Sequence, residues 1–340
     1  MKVWFSKGVR ASEKAKTLIR TLEPHSINSI AVIRHAALGD MVLTRCFLVE
    51  LRKHFPNAKI TLSLLSNYTR GAPEDLVDRM HVVPGRDQRS VPLREQFKRL
   101  KELDYQDLIF DLAATPRSFV LCWLTPAKLK LGFPYRKLHQ YLIYDVATPR
   151  SDLNFEALDM LKMLNALGLR TAFPPQFAMP GEPLVRDRPY MVYFTSASRE
   201  DKCWPAVNFS QLIGQMAAVY PQCDHLVLRG IVDWESIHSI LDPLKNLQNV
   251  QAISADEVAE TVSLVKGARL LVSNDTGIRH IGIVCDTPTV GLFFSTEVFR
   301  YWPRFGNHEV VFNGDGSIPT VDTVFAAAKH VLEEIDRSVS

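Results

Sequence analysis

One pattern occurs twice in this 340-residue sequence and limits the folds open to it: a short apolar strand runs into a polar, glycine-containing turn that is able to begin a helix. The clearer example is 269–280, Arg-Leu-Leu-Val-Ser-Asn-Asp-Thr-Gly-Ile-Arg-His. Asn274 and Asp275 are predicted turn and cap residues, and Gly277 lets the backbone approach a ligand closely. The segment therefore predicts a seat for an anion, although an ordinary capped turn between a strand and a helix uses the same residues.

The first half of the chain holds a second loop of this kind at 30–40, Ile-Ala-Val-Ile-Arg-His-Ala-Ala-Leu-Gly-Asp. In an open parallel sheet, ligands bind beyond the carboxyl ends of the strands. One such loop in each half, in a chain that is too long for a typical single core, predicts two nucleotide-fold domains that face a shared cleft.

Strands and helices alternate through both halves, which indicates parallel sheets covered by helices on both faces and an α/β fold class. A proline-rich stretch at 173–183 is the best candidate for a linker. It separates a predicted Rossmann-like domain at 1–172, with a basic helical extension, from another at 184–320, and a last helix lies within 321–340. The predicted strands lie at 30–34, 60–65, 80–83, 107–112, 190–195, 225–228, 270–273 and 289–293, and the main helices at 41–55, 93–103, 154–167, 209–220 and 256–266.

The composition is typical of a globular protein in water, with 46% hydrophobic and 23% charged residues. No apolar run approaches the roughly 18 residues of a membrane-spanning helix, and the first ten residues lack the apolar core of a secretory signal. The predicted location is the cytoplasm. Five scattered cysteines form no Cys-x-x-Cys pair, which argues against a disulfide framework and against a zinc site.

Charge is distributed unevenly along the chain. Residues 1–150 hold 25 Lys and Arg against 14 Asp and Glu, and residues 151–340 hold 15 against 23, so the net charges are +11 and −8. A basic half of this kind attracts acidic partners or an anionic membrane surface, although it is also compatible with a solvated charged surface. Residues 6–22 predict a basic amphipathic helix that either faces a membrane or packs against its own domain.

Several phosphate-binding signatures are absent from the sequence. It contains neither G-x-G-x-x-G nor G-x-x-x-x-G-K-[ST], which argues against a dehydrogenase and a P-loop protein, and it has no Asp-x-Asp pair to cradle a divalent cation. Amides and cationic side chains must then hold any bound diphosphate. Lys202 follows a predicted strand and a hydroxyl-rich turn and is a candidate for this cation, unless it is a surface lysine paired with Glu200 or Asp201.

Four motifs occur between residue 30 and about residue 303: Ala-Leu-Gly-Asp at 37–40, Arg-Glu-Asp-Lys-Cys-Trp-Pro at 199–205, Asp-Thr-Gly-x-x-His at 275–280 and Thr-Val-Gly-Leu-Phe at 289–293. In this order and spacing they resemble glycosyltransferase family 9, the bacterial heptosyltransferases of lipopolysaccharide inner-core assembly. The resemblance implies a GT-B architecture of two Rossmann-like, doubly wound parallel-sheet domains facing a central cleft. It also implies an acceptor site in the N-terminal domain, a nucleotide-sugar site in the C-terminal domain, and inverting transfer without a metal ion.

The resemblance assigns roles to residues at matching positions. Asp40 becomes the catalytic base, although a carboxylate at a helix start is also favoured by the helix dipole alone. Lys202 neutralises charge on the departing phosphate, and Ser198 accompanies it. The nucleotide ribose is expected at Asp233 or Glu235. The remaining implied nucleotide-sugar residues are Asp275, Thr276, Gly277 and His280 of the diphosphate loop, and Ser295 and Thr296, where Phe-Phe-Ser-Thr replaces the family's Phe-Gly-Pro-Thr.

The implied acceptor is a lipopolysaccharide core, whose carboxylates and phosphates suit the basic N-terminal half. The implied donor is ADP-heptose, with no cofactor, no nucleic-acid partner, and peripheral contact with the inner face of the inner membrane. Two alternatives remain open: a nucleotide-sugar epimerase of the same fold, which needs no acceptor, and a non-catalytic protein that binds an anionic glycan. The residues expected to contact the acceptor are Gly39, Arg34, Arg70, Arg117 and Arg136.

Overall fold

The protein consists of two compact units, Met1–Ala178 and Met179–Ser340. The structure is a computed structural model that describes residues 10–134, 138–230 and 237–339. None of the helices in these three ranges has the length and apolar character needed to cross a membrane.

The N-terminal unit is built on one sheet with the strand order β1-β7-β6-β5-β2-β3-β4. All neighbouring strands are parallel except β1 and β7, which form an antiparallel edge. Each central strand is a nearly continuous apolar run because helices cover both faces of a parallel sheet. The strands are β1 Arg10–Ala11, β2 Ser29–Ile33, β3 Lys59–Leu65, β4 Arg79–Val83, β5 Gln106–Asp111, β6 Ala127–Gly132 and β7 Val146–Ala147.

The helices of this unit pack on the sheet through apolar faces, and α7 is the most deeply buried of those described. Thr115 and Ser118 form a capping box that fixes the start of α5. The helices are α1 Glu13–Arg20, α2 Leu38–Leu43, α3 Arg45–His54, α4 Leu93–Lys101, α5 Pro116–Leu124, α6 His139–Leu142 and α7 Glu156–Asn165.

The C-terminal unit repeats this architecture with a fully parallel sheet of order β10-β9-β8-β11-β12-β13. The long helix α12 packs on the same sheet, and Val324, Ala328 and Leu332 are buried in its core. The strands are β8 Tyr190–Phe194, β9 Asp224–Leu228, β10 Val250–Ile253, β11 Leu270–Asn274, β12 Thr289–Leu292 and β13 His308–Val311. The helices are α8 Ala206–Val219, α9 His238–Leu241, α10 Val258–Lys266, α11 Gly277–Val284 and α12 Val321–Val339.

The sequence-based prediction of a single helix at 41–55 is wrong, because α2 and α3 meet at Thr44. The Thr44 hydroxyl donates a hydrogen bond of 2.9 Å to the carbonyl of Asp40, four residues earlier. A side chain that bonds its own backbone in this way competes with regular helix geometry. The break limits α2 to 6 residues, and Asp40 lies in its first turn.

Some elements were not predicted. They include helix α5 and the strands β6, β7, β10 and β13. Of these, β10 and β13 are the two edge strands of the C-terminal sheet. Edge strands bury less apolar surface than central ones, so their sequences carry a weaker hydrophobic signal. The predicted helix at 6–22 is described from residue 10 onward, where α1 occupies Glu13–Arg20.

The proline-rich segment at 173–183 is held by both units. Arg45 of α3 donates a hydrogen bond of 2.9 Å to the carbonyl of Phe177. On the other side of the unit boundary, Lys266 of α10 donates bonds of 2.6 Å to the carbonyls of Met179 and Gly181. The backbone on each side of the boundary is therefore anchored to the unit to which it belongs.

Candidate active site

Asp40 lies in the first turn of α2, directly after the carboxyl end of β2. The buried Arg34 holds it: Nη2 is 3.2 Å from the carboxylate Oδ1 and 3.3 Å from the carbonyl oxygen of the same residue. The Asp40 side chain is nevertheless 25% exposed. Arg34 thus restrains the orientation of a side chain that is partly exposed to solvent.

Arg34 was predicted to contact an acceptor, but its side chain is only 2% exposed. Its Nη1 donates to the carbonyl of Leu112 at 2.7 Å and to the carboxylate of Glu156 at 3.0 Å. Arg150 donates to the same Glu156 carboxylate at 2.5 and 3.2 Å. A buried cation is tolerated when carboxylates and carbonyls surround it, so the geometry favours Arg34 as the support of Asp40.

The other predicted acceptor residues differ in position. Gly39 is buried within α2, whereas Arg70 and Arg117 are exposed. Arg117 lies in the first turn of α5 and donates to the carbonyl of Pro84, which follows β4. Because β2 and β3 lie between β5 and β4, this bond places the guanidinium beyond the carboxyl ends of those two strands. Arg136 lies outside the described residues.

The loop that carries Arg117 is organised by Asp111, a fully buried carboxylate at the end of β5. It accepts hydrogen bonds from the hydroxyls of Tyr144 and Ser118 at 2.7 and 2.9 Å, and from the amide of Ala114 at 3.1 Å. Burial raises the pKa of Asp111, and these donors oppose that change. The network fixes the backbone from which α5 begins.

In the C-terminal unit, Asn274 joins the two predicted donor-binding loops. It was predicted as a turn or cap residue, but it is fully buried: its Oδ1 accepts from the amide of Trp204 at 3.0 Å and its Nδ2 donates to the carbonyl of Thr195 at 2.8 Å. The N-cap of α11 is instead Thr276. Asn274 thus holds the hydroxyl-rich turn after β8 against the turn that begins α11.

Lys202 and Asp275 meet as a result, with Nζ and Oδ2 separated by 3.7 Å. Their side chains are 19% and 8% exposed, so this pair is well shielded from solvent. Asp201, an alternative partner for Lys202, instead accepts a hydrogen bond of 2.8 Å from Arg199. Ser198 is exposed in the same turn.

The turn after β11 has the geometry expected of an anion seat. Thr276 is extended, with φ −143° and ψ 169°, and its side chain makes no cap hydrogen bond. Its hydroxyl has no hydrogen-bond partner within the described residues. The first amides of α11, beginning at Gly277, lack intrahelical acceptors and carry the positive end of the helix dipole. The ammonium group of Lys202, paired with Asp275 at 3.7 Å, lies beside the same turn, so the site offers a cation and amide donors to a phosphate.

His280 and Arg279 connect α11 to the segment that follows β12. The His280 ring is 4.9 Å from that of Tyr301, and Arg279 Nη1 donates to the Tyr301 carbonyl at 2.7 Å. Arg279 is fully buried with its guanidinium 4.9 Å above the ring of Phe293, and burial lowers its pKa to about 10. Both contacts hold the backbone of the 293–301 segment.

Ser295 and Thr296 line an open pocket of about 330 Å³. It lies beyond the carboxyl ends of β12 and β13, which is the end of a parallel sheet where ligands bind. Asp233 and Glu235, the two candidates for the ribose contact, lie outside the described residues. The other residues that line the pocket are Phe293, Phe294, Glu297, Val298, Phe312, Asn313 and Gly316.

Several residues of the site were not found from the sequence. Glu156 and Arg150 are distant in sequence from Asp40 and carry no local motif, so nothing short of packing identifies them. Arg279 did carry a signal: it is a cation inside the otherwise apolar stretch Gly-Ile-Arg-His-Ile-Gly-Ile-Val. A charged residue at such a position is buried only when it has a specific partner.

Comparisons with known proteins agree with this description. A family model described as glycosyltransferase family 9 (heptosyltransferase) matches residues 93–324. Lipopolysaccharide heptosyltransferase 1 of Salmonella typhimurium is 28% identical over 115 residues, which cover 32% of this chain and 33% of that protein. Lipopolysaccharide heptosyltransferase 3 of Escherichia coli is 22% identical over 294 residues, covering 81% of this chain and 85% of that protein.

Among solved structures, the E. coli heptosyltransferase WaaC with ADP-2-deoxy-2-fluoro heptose superimposes with a TM-score of 0.70. The match covers 90% of this chain and 99% of that one at 18% sequence identity. Similarity at this level of identity establishes the fold, and the predicted GT-B fold class is confirmed.

Proposed function

The chain belongs to glycosyltransferase family 9 and is a glycosyltransferase, and from this premise we propose that it transfers heptose from ADP-heptose to a lipopolysaccharide core. Names of the related proteins support the donor and the acceptor class, since they are lipopolysaccharide heptosyltransferases and one of them is solved with an ADP-heptose analogue. The contact between Lys202 and Asp275 carries the proposal, because it brings a cation to the anion seat of α11.

We propose a single in-line displacement with inversion at the anomeric carbon. Asp40 accepts the proton of the acceptor hydroxyl as that oxygen attacks, and the bond between the anomeric carbon and the diphosphate oxygen breaks with its electron pair leaving on ADP. General-base assistance contributes roughly 10²- to 10⁴-fold in rate. The contact with Arg34 at 3.2 Å supports this role, because it limits the directions in which the carboxylate can point.

Charge that develops on the departing diphosphate would be met by Lys202 and by the first amides of α11. Charge-assisted hydrogen bonds contribute about 1.5–3 kcal/mol each. Donors that are already oriented before the reaction stabilise a developing anion most effectively. Asp275 would keep the ammonium group in place between turnovers. On this basis the reaction proceeds without a metal ion.

The acceptor would bind to the N-terminal unit, where Arg70 and Arg117 are exposed. Residues 1–150 carry a net charge of +11, which suits a glycan rich in carboxylate and phosphate groups. Near an anionic lipid surface each basic residue contributes on the order of 1 kcal/mol of attraction. We propose that the enzyme works in the cytoplasm, in peripheral contact with the inner membrane.

The experiment that tests this function replaces Asp40 by asparagine. We expect Asp40→Asn to lower kcat by roughly 10²- to 10⁴-fold, while the Kd of ADP-heptose stays unchanged because Asp40 belongs to the N-terminal unit. Glu95→Gln is the matched control, since it makes the same chemical change on an exposed helix of the same unit. ADP release and heptose transfer are measured together, and near-normal turnover in Asp40→Asn would remove Asp40 from this role.

The same assay separates transfer from the two alternatives. An epimerase would convert ADP-heptose without an acceptor. A glycan-binding protein would retain lipopolysaccharide but never release ADP. Membership of glycosyltransferase family 9 favours transfer, for which ADP release must depend on the acceptor and match the heptose transferred.

A further inference from the structure

His35 is a buried side chain with no use in the mechanism described above. It is 7% exposed and follows β2 by two residues, five residues before Asp40. Neither of its ring nitrogens has a hydrogen-bond partner within the ranges 10–134, 138–230 and 237–339. Burial, with smaller contributions from Arg117 and His81, lowers its pKa to about 3, so the ring is neutral at physiological pH.

The neighbouring His81 shows what a structural histidine in this sheet looks like. It is 2% exposed, its Nδ1 is 2.9 Å from the hydroxyl of Ser63, and its Nε2 is 2.8 Å from the carbonyl of Arg99. Both nitrogens of His81 are satisfied by the protein. Buried polar groups are normally satisfied in this way, and an exception calls for an explanation.

The position of His35 offers an explanation for its missing hydrogen-bond partners. Ligands bind beyond the carboxyl ends of parallel strands, and His35 lies beyond the carboxyl end of β2. At the same end of the sheet, Arg117 donates a hydrogen bond to the carbonyl of Pro84 and is close enough to act electrostatically on the His35 ring. Asp40 follows on the same connection. The carboxyl end of this sheet therefore holds three groups: the imidazole of His35, unpartnered within the described part of the chain, the exposed residue Arg117 and the proposed base Asp40.

We propose that His35 is an acceptor-recognition residue whose neutral imidazole hydrogen-bonds a hydroxyl of the acceptor sugar, beside an anionic group of the acceptor that Arg117 binds. A neutral imidazole offers one donor and one acceptor, which matches a hydroxyl. A guanidinium offers donors only, which matches a carboxylate or phosphate. The inference rests on the proposed function, since it names the part of the site that selects the acceptor.

The test compares His35→Leu with His81→Leu by urea unfolding and by kinetics with ADP-heptose and lipopolysaccharide truncated before its heptoses. For His35→Leu we expect kcat/KM for this lipopolysaccharide to fall roughly 10- to 100-fold, with an unchanged KM for ADP-heptose. Its urea midpoint should be equal to or higher than that of the parent protein, because leucine removes two unsatisfied polar atoms. His35→Gln, which restores a donor and an acceptor, should recover part of the lost kcat/KM.

His81→Leu should behave in the opposite way, with a lower urea midpoint and normal kcat/KM per folded molecule, because Ser63 and Arg99 lose their partner. The inference is overturned if His35→Leu lowers the urea midpoint as much as His81→Leu does, or if it leaves kcat/KM for the lipopolysaccharide unchanged. Parent protein that transfers no heptose would refute the proposed function. The unfolding comparison would then still decide whether His35 is kept at the expense of stability, as a ligand-binding residue is.

Discussion

Replacing Arg34 by lysine tests whether the orientation of Asp40 depends on the buried guanidinium. Arg34 uses one nitrogen for Leu112 and Glu156 and the other for Asp40. The single nitrogen of a lysine cannot serve both. It will stay with Glu156, which is 1% exposed, because a pair of opposite charges attracts more strongly in buried surroundings than beside Asp40, which is 25% exposed. The contacts with Asp40 should therefore be lost while the buried charge is retained.

The size of the effect follows from these contacts. A charge-assisted hydrogen bond contributes about 1.5–3 kcal/mol. The Arg34 contacts with Asp40 are 3.2 and 3.3 Å long, at the weak end of the normal range, so the lower value applies. Because about 1.4 kcal/mol corresponds to a factor of ten in rate, we expect Arg34→Lys to lower kcat about tenfold with little change in the KM of ADP-heptose.

Arg150→Lys is the matched control. Arg150 donates to the same Glu156 carboxylate through Nε and Nη2. Both variants should lose stability in urea unfolding, whereas kcat per folded molecule should stay within about twofold for Arg150→Lys. Equal losses of kcat in the two variants would show that Glu156 packing matters in general and that Arg34 has no specific effect on Asp40. An unchanged kcat in Arg34→Lys would refute the orienting role outright.

Three further predictions concern the C-terminal unit, acid stability and metal ions. A Cβ at Gly291 would lie 2.1 Å from Nε of Arg279, so Gly291→Ala should displace that guanidinium. The free energy of unfolding, measured in urea, should fall by about 1–3 kcal/mol, and the KM of ADP-heptose, measured from initial rates, should rise. Burial lowers the pKa values of His35 and His308 to about 3, so below about pH 6.5 the unfolded chain binds protons that the native state does not. The free energy of unfolding should therefore fall by about 2 kcal/mol per histidine between pH 7.5 and pH 5, as checked by urea titrations at both pH values, and it should fall less in His35→Leu. Dialysis against EDTA should leave heptose transfer intact, and a loss of activity that Mg²⁺ restores would contradict transfer without a metal ion.

Much of the fold could be predicted because its signals are local. The strand at 30–34 and the one at 270–273 were identified within one residue of β2 and β11, since continuous apolar runs bounded by polar turns are typical of buried parallel strands. A helix after the Asp-Thr-Gly turn was likewise expected, although its N-cap is Thr276 and not Asn274 or Asp275. The break at Thr44 was not, because a threonine hydroxyl bonds its own backbone in some helices and solvent in others.

The residues of the candidate site were also predictable only where the signal is local in sequence. Short sequence motifs identified Asp40, Lys202 and the Asp-Thr-Gly turn, because the residues of each motif are close to one another along the chain. Arg34 was assigned to the acceptor because it belongs to the basic N-terminal half, which suits an acceptor with carboxylates and phosphates. Its burial depends on Glu156, which is 122 residues away in sequence, and no local pattern reveals that partner.

The sequence by itself therefore determined the α/β class and the turns at the carboxyl ends of β2 and β11, because these depend on interactions between each segment and its own backbone. It also determined the family, through four short motifs. Only the tertiary structure decided which charges meet. Lys202 pairs with Asp275 because Asn274 holds two distant turns together, and Arg34 faces inward because two carboxylates surround it. The energy of a buried charge depends on everything packed around it, and those neighbours come from all parts of the chain.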